Sequence, residues 1–111
     1  MKTLFLYFLI AINFAVIAMP KDSFYVQEEN TVVASQSIKN TYKKGLDFLS
    51  KENFEDAFTA ISSGLKSSLK INNENLIATG YLHLGSYFTR NNNNSKALEN
   101  LNTSLKLFLE Q

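Results

Sequence analysis

The chain has 111 residues and a formal net charge of +1 at pH 7. Once the apolar N-terminal segment is set aside, roughly 93 residues remain, which is enough for one compact core and too few for a two-domain enzyme. A nearly neutral chain lacks the electrostatic attraction on which non-specific nucleic-acid binding depends. There is no cysteine and only one histidine, so disulfides, a cysteine nucleophile and thiolate or multi-histidine metal sites are excluded.

Residues 1–18 have the layout of a secretory signal. Lys2 gives a positive start, an apolar run extends from Leu4 to Ala18, and Pro20 ends it. The run is shorter than the roughly 20 residues that a bilayer span needs. We therefore expect cleavage after Ala18 and export to the periplasm or the exterior. The alternative is a retained membrane anchor over residues 4–19, and in either case only this N-terminal segment contacts the membrane.

Residues 19–36 form a second segment that lacks a clear apolar period. Phe24, Tyr25, Val32 and Val33 are scattered among polar residues. We expect a partly ordered leader here, with a short helix over Thr31–Ser37 as the alternative.

The remaining segment, residues 37–111, has apolar residues at steps of three and four, as one face of a helix requires. The pattern predicts an all-α fold of two antiparallel helical hairpins, at about 37–70 and 75–110. Asparagine-rich turns fall at residues 72–75 and 91–94, since asparagine tolerates left-handed backbone. Asn53 and Ser95 are predicted to cap the second helix of each hairpin. No stretch alternates for long enough to predict a strand.

The two hairpins match each other at a fixed offset of 40 residues, which is typical of a helical-hairpin repeat. A glycine inside a helix costs about 1 kcal/mol relative to alanine, and close approach of the partner helix would explain that cost. The matched packing positions are Gly45 with Gly85, Phe48 with Phe88, Ala57 with Ala97, and Ile61 with Leu101. Further apolar matches are Phe58 with Leu98, Leu65 with Leu105, and Leu69 with Leu109.

The second copy reads Tyr81-x-x-Leu84-Gly85-x-x-Phe88, followed by Ala97-x-x-x-Leu101. It resembles the tetratricopeptide repeat (TPR), and the first copy is a looser version. The period of 40 exceeds the family's 34, neither copy has the closing proline, and we expect the surplus near residues 70–75. The resemblance implies a short right-handed α-solenoid. A two-hairpin solenoid of another helical-repeat family is the alternative.

The TPR resemblance also implies a non-catalytic scaffold, without cofactor or metal, that binds a protein or peptide in a groove lined by the first helices. Lys39, Lys43 and Arg90 would suit a partner with acidic groups, although ordinary solvated charges are the simpler interpretation. His83 has no second histidine or cysteine beside it in the sequence, so it predicts no metal site. The groove positions are Lys39, Tyr42, Lys43, Leu46 and Leu49 in the first copy, and Thr79, Leu82, His83, Ser86 and Arg90 in the second.

Two alternatives concern what lies beyond the repeats. Exported repeats of this kind resemble the N-terminal periplasmic sensor portions of longer bacterial signalling proteins, such as kinases or transcriptional regulators, and that function requires this chain to be a fragment. The last helix keeps an apolar surface that includes Leu98 and Leu105, whereas a repeat stack normally ends in a polar cap. We therefore expect it to form a homodimer through this helix or to pack against further repeats.

Overall fold

The computed structural model describes the backbone of residues 21–111 and the side chains of residues 30–111, so the expected signal segment lies outside the described residues. The described elements are α1 (Lys21–Ser50), α2 (Phe54–Lys70), α3 (Glu74–Arg90) and α4 (Asn94–Leu109). Between residues 21 and 111 there is no strand, which confirms the all-α prediction. Within the same range no helix is both long and apolar enough to span a bilayer. The contacts divide the chain after Asn30, and the packing described below is that of Thr31–Gln111.

The first helix is longer than the apolar pattern predicts. It begins at Lys21 and includes most of the segment that we expected to be a partly ordered leader. Val32 and Val33 are exposed, so among the described side chains these two apolar residues do not contribute to a buried stripe. A helix without such a stripe leaves no period of 3.6 in the sequence.

The three connections between helices share one backbone conformation. Each is three residues long, and its middle residue is left-handed, with φ of 59° at Glu52, 54° at Asn72 and 59° at Asn92. The next N–H then reaches back five residues to a helix carbonyl, which is the Schellman ending of a helix. These bonds join Asn53 to Phe48 (2.9 Å), Asn73 to Ser68 (3.1 Å) and Asn93 to Phe88 (2.8 Å).

Asparagine side chains cap the start of α3 and of α4. The Asn73 side-chain oxygen accepts a hydrogen bond from the Leu76 N–H at 3.1 Å, and the Asn93 oxygen accepts one from the Lys96 N–H at 3.2 Å. The prediction that Ser95 caps α4 is therefore wrong. Ser95 lies inside the helix, because the three-residue connection allows α4 to begin at Asn94, two residues before the start that capping by Ser95 would give.

Asn53 occupies the capping position of α2 but does not cap it. Its side-chain amide instead donates to the Asp56 carboxylate at 2.8 Å, and no side-chain capping bond forms. The acidic first turn of α2 therefore competes with the backbone for this asparagine.

The repeat is longer than 34 residues because its helices are longer. Helices α2 and α3 have 17 residues each, and α4 has 16, whereas a 34-residue repeat with the same turns leaves about 14 per helix. The surplus expected near residues 70–75 is therefore not a long loop. It is helical, since α2 continues to Lys70 and α3 begins at Glu74.

A glycine lies against the partner helix in each hairpin. A Cβ built on Gly45 would lie 2.7 Å from Ile61 Cγ1, and one on Gly85 would lie 2.6 Å from Leu101 Cγ. Packed Cβ atoms essentially never come within 3.0 Å of a neighbour, so each crossing needs the glycine. Of the packing positions predicted from the repeat, Gly45, Ala57, Ile61, Leu84, Gly85 and Ala97 are buried, and Phe48, Tyr81, Phe88 and Leu101 are half-buried.

Candidate functional site

The Tyr42 side chain joins α1 to α2 and α3. Its hydroxyl donates to the Leu76 carbonyl at 2.8 Å and lies 2.9 Å from Ser68 Oγ. The Ser68 hydroxyl in turn donates to the Gly64 carbonyl at 2.7 Å. The two hydroxyl protons can form two of these three hydrogen bonds at one time, in a place where Tyr42 is only 2% exposed. Because an unpaired buried polar group is costly, this network holds the two hairpins together.

Two glycines provide the space for the Tyr42 ring. A Cβ on Gly64 would lie 2.5 Å from Tyr42 Cε1, and one on Gly80 would meet the Tyr42 hydroxyl and lie 3.0 Å from Leu65 Cδ1. Tyr42 was expected to face the groove; it lines the base of the first depression, and its ring enters the core between the two glycines. Leu49, also expected on that surface, is buried. The signal that sequence reasoning missed is the pair of mid-helix glycines, which are unfavourable unless something packs against them.

His83 lies beside Tyr42 at the edge of this network. The two ring centroids are 5.2 Å apart, with the rings inclined at 72°, an edge-to-face contact. Burial lowers the pKa of His83 and therefore favours the neutral imidazole. Burial raises the pKa of Tyr42, and the hydrogen bond with Ser68 opposes that shift by a smaller amount. Both rings are therefore uncharged at neutral pH.

Two adjoining depressions, here called the α1/α3 groove, lie where α1 faces α3, and both include Leu46. The first has a volume of about 250 Å³ and the second about 430 Å³. Their lining extends beyond the predicted residues to Leu76, Ser50, Thr89 and Leu101. The predicted groove residues that line them are Lys39, Tyr42, Lys43, Leu46, Thr79 and His83 in the first, and Leu46, Leu49, Ser86 and Arg90 in the second.

The structure thus brings together nine of the ten predicted groove residues. The tenth, Leu82, lines neither depression and is 41% exposed. Tyr42 and Leu49 contribute as buried residues at the base of the groove, whereas Lys39, Lys43 and Arg90 are exposed.

The groove has a positive rim. Lys39, Lys43 and Arg90 line it, and no aspartate or glutamate does. Among the side chains that the structure describes, the ion pairs are Lys51 with Asp47 and Lys106 with Glu110. The three groove cations therefore have no carboxylate partner within residues 30–111. An apolar base with unpaired cations at the rim is complementary to a segment that carries both apolar and acidic side chains.

Comparisons with protein-family models, with curated proteins and with solved structures find no match for this chain. The described part of the chain also contains no group of three or more His, Asp or Glu side chains that could hold a metal ion. The α1/α3 groove is therefore the feature from which a function is inferred.

Proposed function

We propose that this chain is an exported, TPR-like protein-interaction module that binds a peptide or helix with acidic side chains in the α1/α3 groove. The observation that carries this proposal is the positive rim, whose cations have no carboxylate partner within residues 30–111, around an apolar base. Leu46 is shared by both depressions, so one apolar side chain of the partner can anchor there. Acidic groups on either side of that anchor would then reach the rim cations.

The role is proposed as binding without catalysis. His83 is the only histidine of the chain, and burial disfavours its charged form. In the groove its neutral ring extends the apolar base towards Tyr42, with which it makes an edge-to-face contact. A hydrophobic base with a few placed polar groups is the usual composition of a recognition site.

The positive rim contributes to affinity mainly through steering and orientation. Exposed ion pairs are worth about 0.2–1 kcal/mol each, so the three cations do not hold a partner by themselves. Reversing two of them should nevertheless reduce binding by about tenfold or more, because each attraction becomes a repulsion. The same reversal elsewhere on the surface should have little effect.

A selection from a random peptide library on the purified chain tests this proposal. We expect the enriched peptides to combine an apolar anchor with aspartate or glutamate, and to lose at least tenfold in affinity for a Lys39→Glu/Lys43→Glu variant. The matched control is Lys66→Glu/Lys70→Glu, which reverses two exposed lysines at the same spacing on α2. Basic or charge-independent peptides, or equal losses in the two variants, would contradict the proposal.

Export is proposed from the N-terminal sequence. Cleavage after Ala18 would leave Met19 as the first residue of a protein found outside the cytoplasm. Mass spectrometry of the N-terminus checks this. An intact Met1 in a soluble cytoplasmic pool would contradict it.

A further inference from the structure

The outward surface of α4 carries an uncovered apolar stripe. Leu98 is 61% exposed, Leu105 57% and Leu109 75%, and the exposed Asn102 lies between them. The steps between these residues are four, three and four, which is the spacing of the a and d positions of a coiled coil. We call Leu98, Asn102, Leu105 and Leu109 the α4 stripe. It lies on the surface of α4 next to the inward face, on which Ala97 and Ser104 are buried.

The same stripe exists on α2, where the second hairpin covers part of it. Phe58 and Leu65 occupy the positions 40 residues before Leu98 and Leu105. The Phe58 ring lies 5.2 Å from the Tyr87 ring, and a Cβ on Gly80 would lie 3.2 Å from Leu65 Cβ. The surface of α2 that is equivalent to the α4 stripe therefore packs against α3.

Stacking head to tail is a poor way to cover the α4 stripe, because the positions of α1 equivalent to those that α3 offers to α2 are not apolar. The α3 residues Gly80, Leu84 and Tyr87 correspond, 40 residues earlier, to Asn40, Lys44 and Asp47 on α1. All three α1 residues are exposed and polar, and Asp47 is already paired with Lys51 at 3.0 Å. Lys44 and Asp47 are charged, and burying charged groups against leucines costs much more than burying a neutral amide.

The charges beside the α4 stripe favour its pairing with itself. Glu99 and Lys106 are exposed and lie along the edge of the stripe farther from the core, at the e positions of the same heptad. In an antiparallel coiled coil the e positions of the two helices face each other, so a two-fold axis places Glu99 of each copy opposite Lys106 of the other. In a parallel pair Lys106 would instead face Leu101 of the second copy, and no opposite charges would meet.

We propose that the α4 stripe pairs in antiparallel orientation with the α4 stripe of a second copy, so that the chain forms a symmetric dimer. Leu98 then packs on Leu109 of the second copy, and Asn102 packs beside Leu105 of the second copy. Two equivalent ion pairs between Glu99 and Lys106 fix the register. The helix is only about 24 Å long, so the contact is small and the dimer should dissociate on dilution.

The dimer leaves the α1/α3 groove open except beside Leu101, which lines the second depression and also borders the α4 stripe. None of the residues that line the groove belongs to the α4 stripe. One dimer therefore presents two groove copies, and a partner that carries two binding segments gains avidity. The dimer does not depend on the peptide-binding role, so either proposal can fail without the other.

A charge-swap experiment on the full chain tests the dimer, with sedimentation equilibrium as the measurement. Glu99→Lys alone and Lys106→Glu alone should each weaken self-association by about tenfold, since each creates two repulsive contacts by symmetry. An equimolar mixture of the two variants should associate about as well as the unaltered chain, because both contacts are restored in the mixed dimer. Lys66→Glu, the change at the corresponding position of α2, is the control and should have no effect.

A second variant, Leu105→Ser, removes apolar area without touching a charge. Because this leucine is mostly exposed, the helical fold should persist by circular dichroism while self-association falls at least tenfold. Three results would overturn the proposal: a monomer at the highest soluble concentration, self-association that Leu105→Ser leaves unchanged, or single charge variants that the mixture does not rescue. Association that Leu105→Ser leaves unchanged would be expected if another part of the chain caused it. Charge variants that the mixture does not rescue would be expected in that case and also for a head-to-tail stack.

Discussion

The two hairpins are built on the same plan, but equivalent positions have different surroundings. Tyr42 and Leu82 are 40 residues apart, yet Tyr42 is 2% exposed and Leu82 is 41% exposed. The reason is that the Tyr42 hydroxyl reaches the Leu76 carbonyl of the following hairpin, whereas no further hairpin packs on the second one within the described residues. A repeat position therefore becomes core only through its neighbour, and equivalence in sequence does not guarantee equivalence in burial.

The largest difference between the hairpins should appear when these two side chains are truncated. Tyr42→Ala should lower the free energy of unfolding by about 3–5 kcal/mol, because it leaves a cavity and removes two buried hydrogen bonds. Leu82→Ala should change it by no more than about 0.5 kcal/mol. Urea unfolding measures both values. Similar losses in the two variants would show that the second hairpin is as well covered as the first.

Overpacking a helix crossing should give the next largest effect. Gly85→Leu and Ala97→Leu should each destabilise the fold by about 1–3 kcal/mol, since the added atoms meet the partner helix. Ser86→Leu, on the half-exposed groove lining, should have a much smaller effect. Thermal unfolding compares the three variants, and equal shifts for all of them would contradict the assignment of the faces of α3.

Exchanging glutamate and asparagine between two of the turns should change stability by a smaller amount, with opposite signs at the two positions. Glu52 and Asn92 hold the same left-handed conformation, which asparagine tolerates better than glutamate. Glu52→Asn should stabilise the chain by about 0.5–1 kcal/mol, and Asn92→Glu should destabilise it by a similar amount. Urea unfolding of the single and double variants checks the sign, and two shifts in the same direction would rule out backbone strain as their common cause.

The smallest expected effect is a dependence of stability on pH that comes from His83. Its pKa is lowered by burial in the folded chain, so the unfolded chain takes up the proton first as the pH falls below about 6.5. As the pH falls, the free energy of unfolding should stay constant until that pH is reached. It should then decrease until the pH reaches the lowered pKa of the folded state. Because His83 is the only histidine, its imidazole NMR signals can be followed without overlap. A titration midpoint at or above 6.5 would contradict this account, and His83→Asn should remove the histidine contribution.

The sequence predicts the helical class and the hairpin register because both depend on local periodicity and on a 40-residue match. Nine of the ten residues that the TPR resemblance implies for the groove also line the two depressions between α1 and α3. The location of Tyr42 could not be predicted in this way. The space for its ring is left by Gly64 and Gly80, which lie on two other helices. No pattern within one helix predicts that these three residues come together. The capping role of Asn93 was missed for a simpler reason: Asn93 and Ser95 are both good capping residues, and only the length of the turn distinguishes them.

Paramagnetic NMR on a bound peptide would test the assignment of the groove most directly. A peptide enriched in the library selection, carrying a spin label next to its apolar anchor, would be added to the isotope-labelled chain. If the α1/α3 groove is the binding surface, the amide signals of Leu46, Thr79 and Ser86 should broaden strongly, while those of Lys66 and Leu98 on the outer helices should not. Strong broadening at Lys66 or Leu98, with the groove signals unchanged, would show that the partner binds elsewhere and would contradict the proposed function.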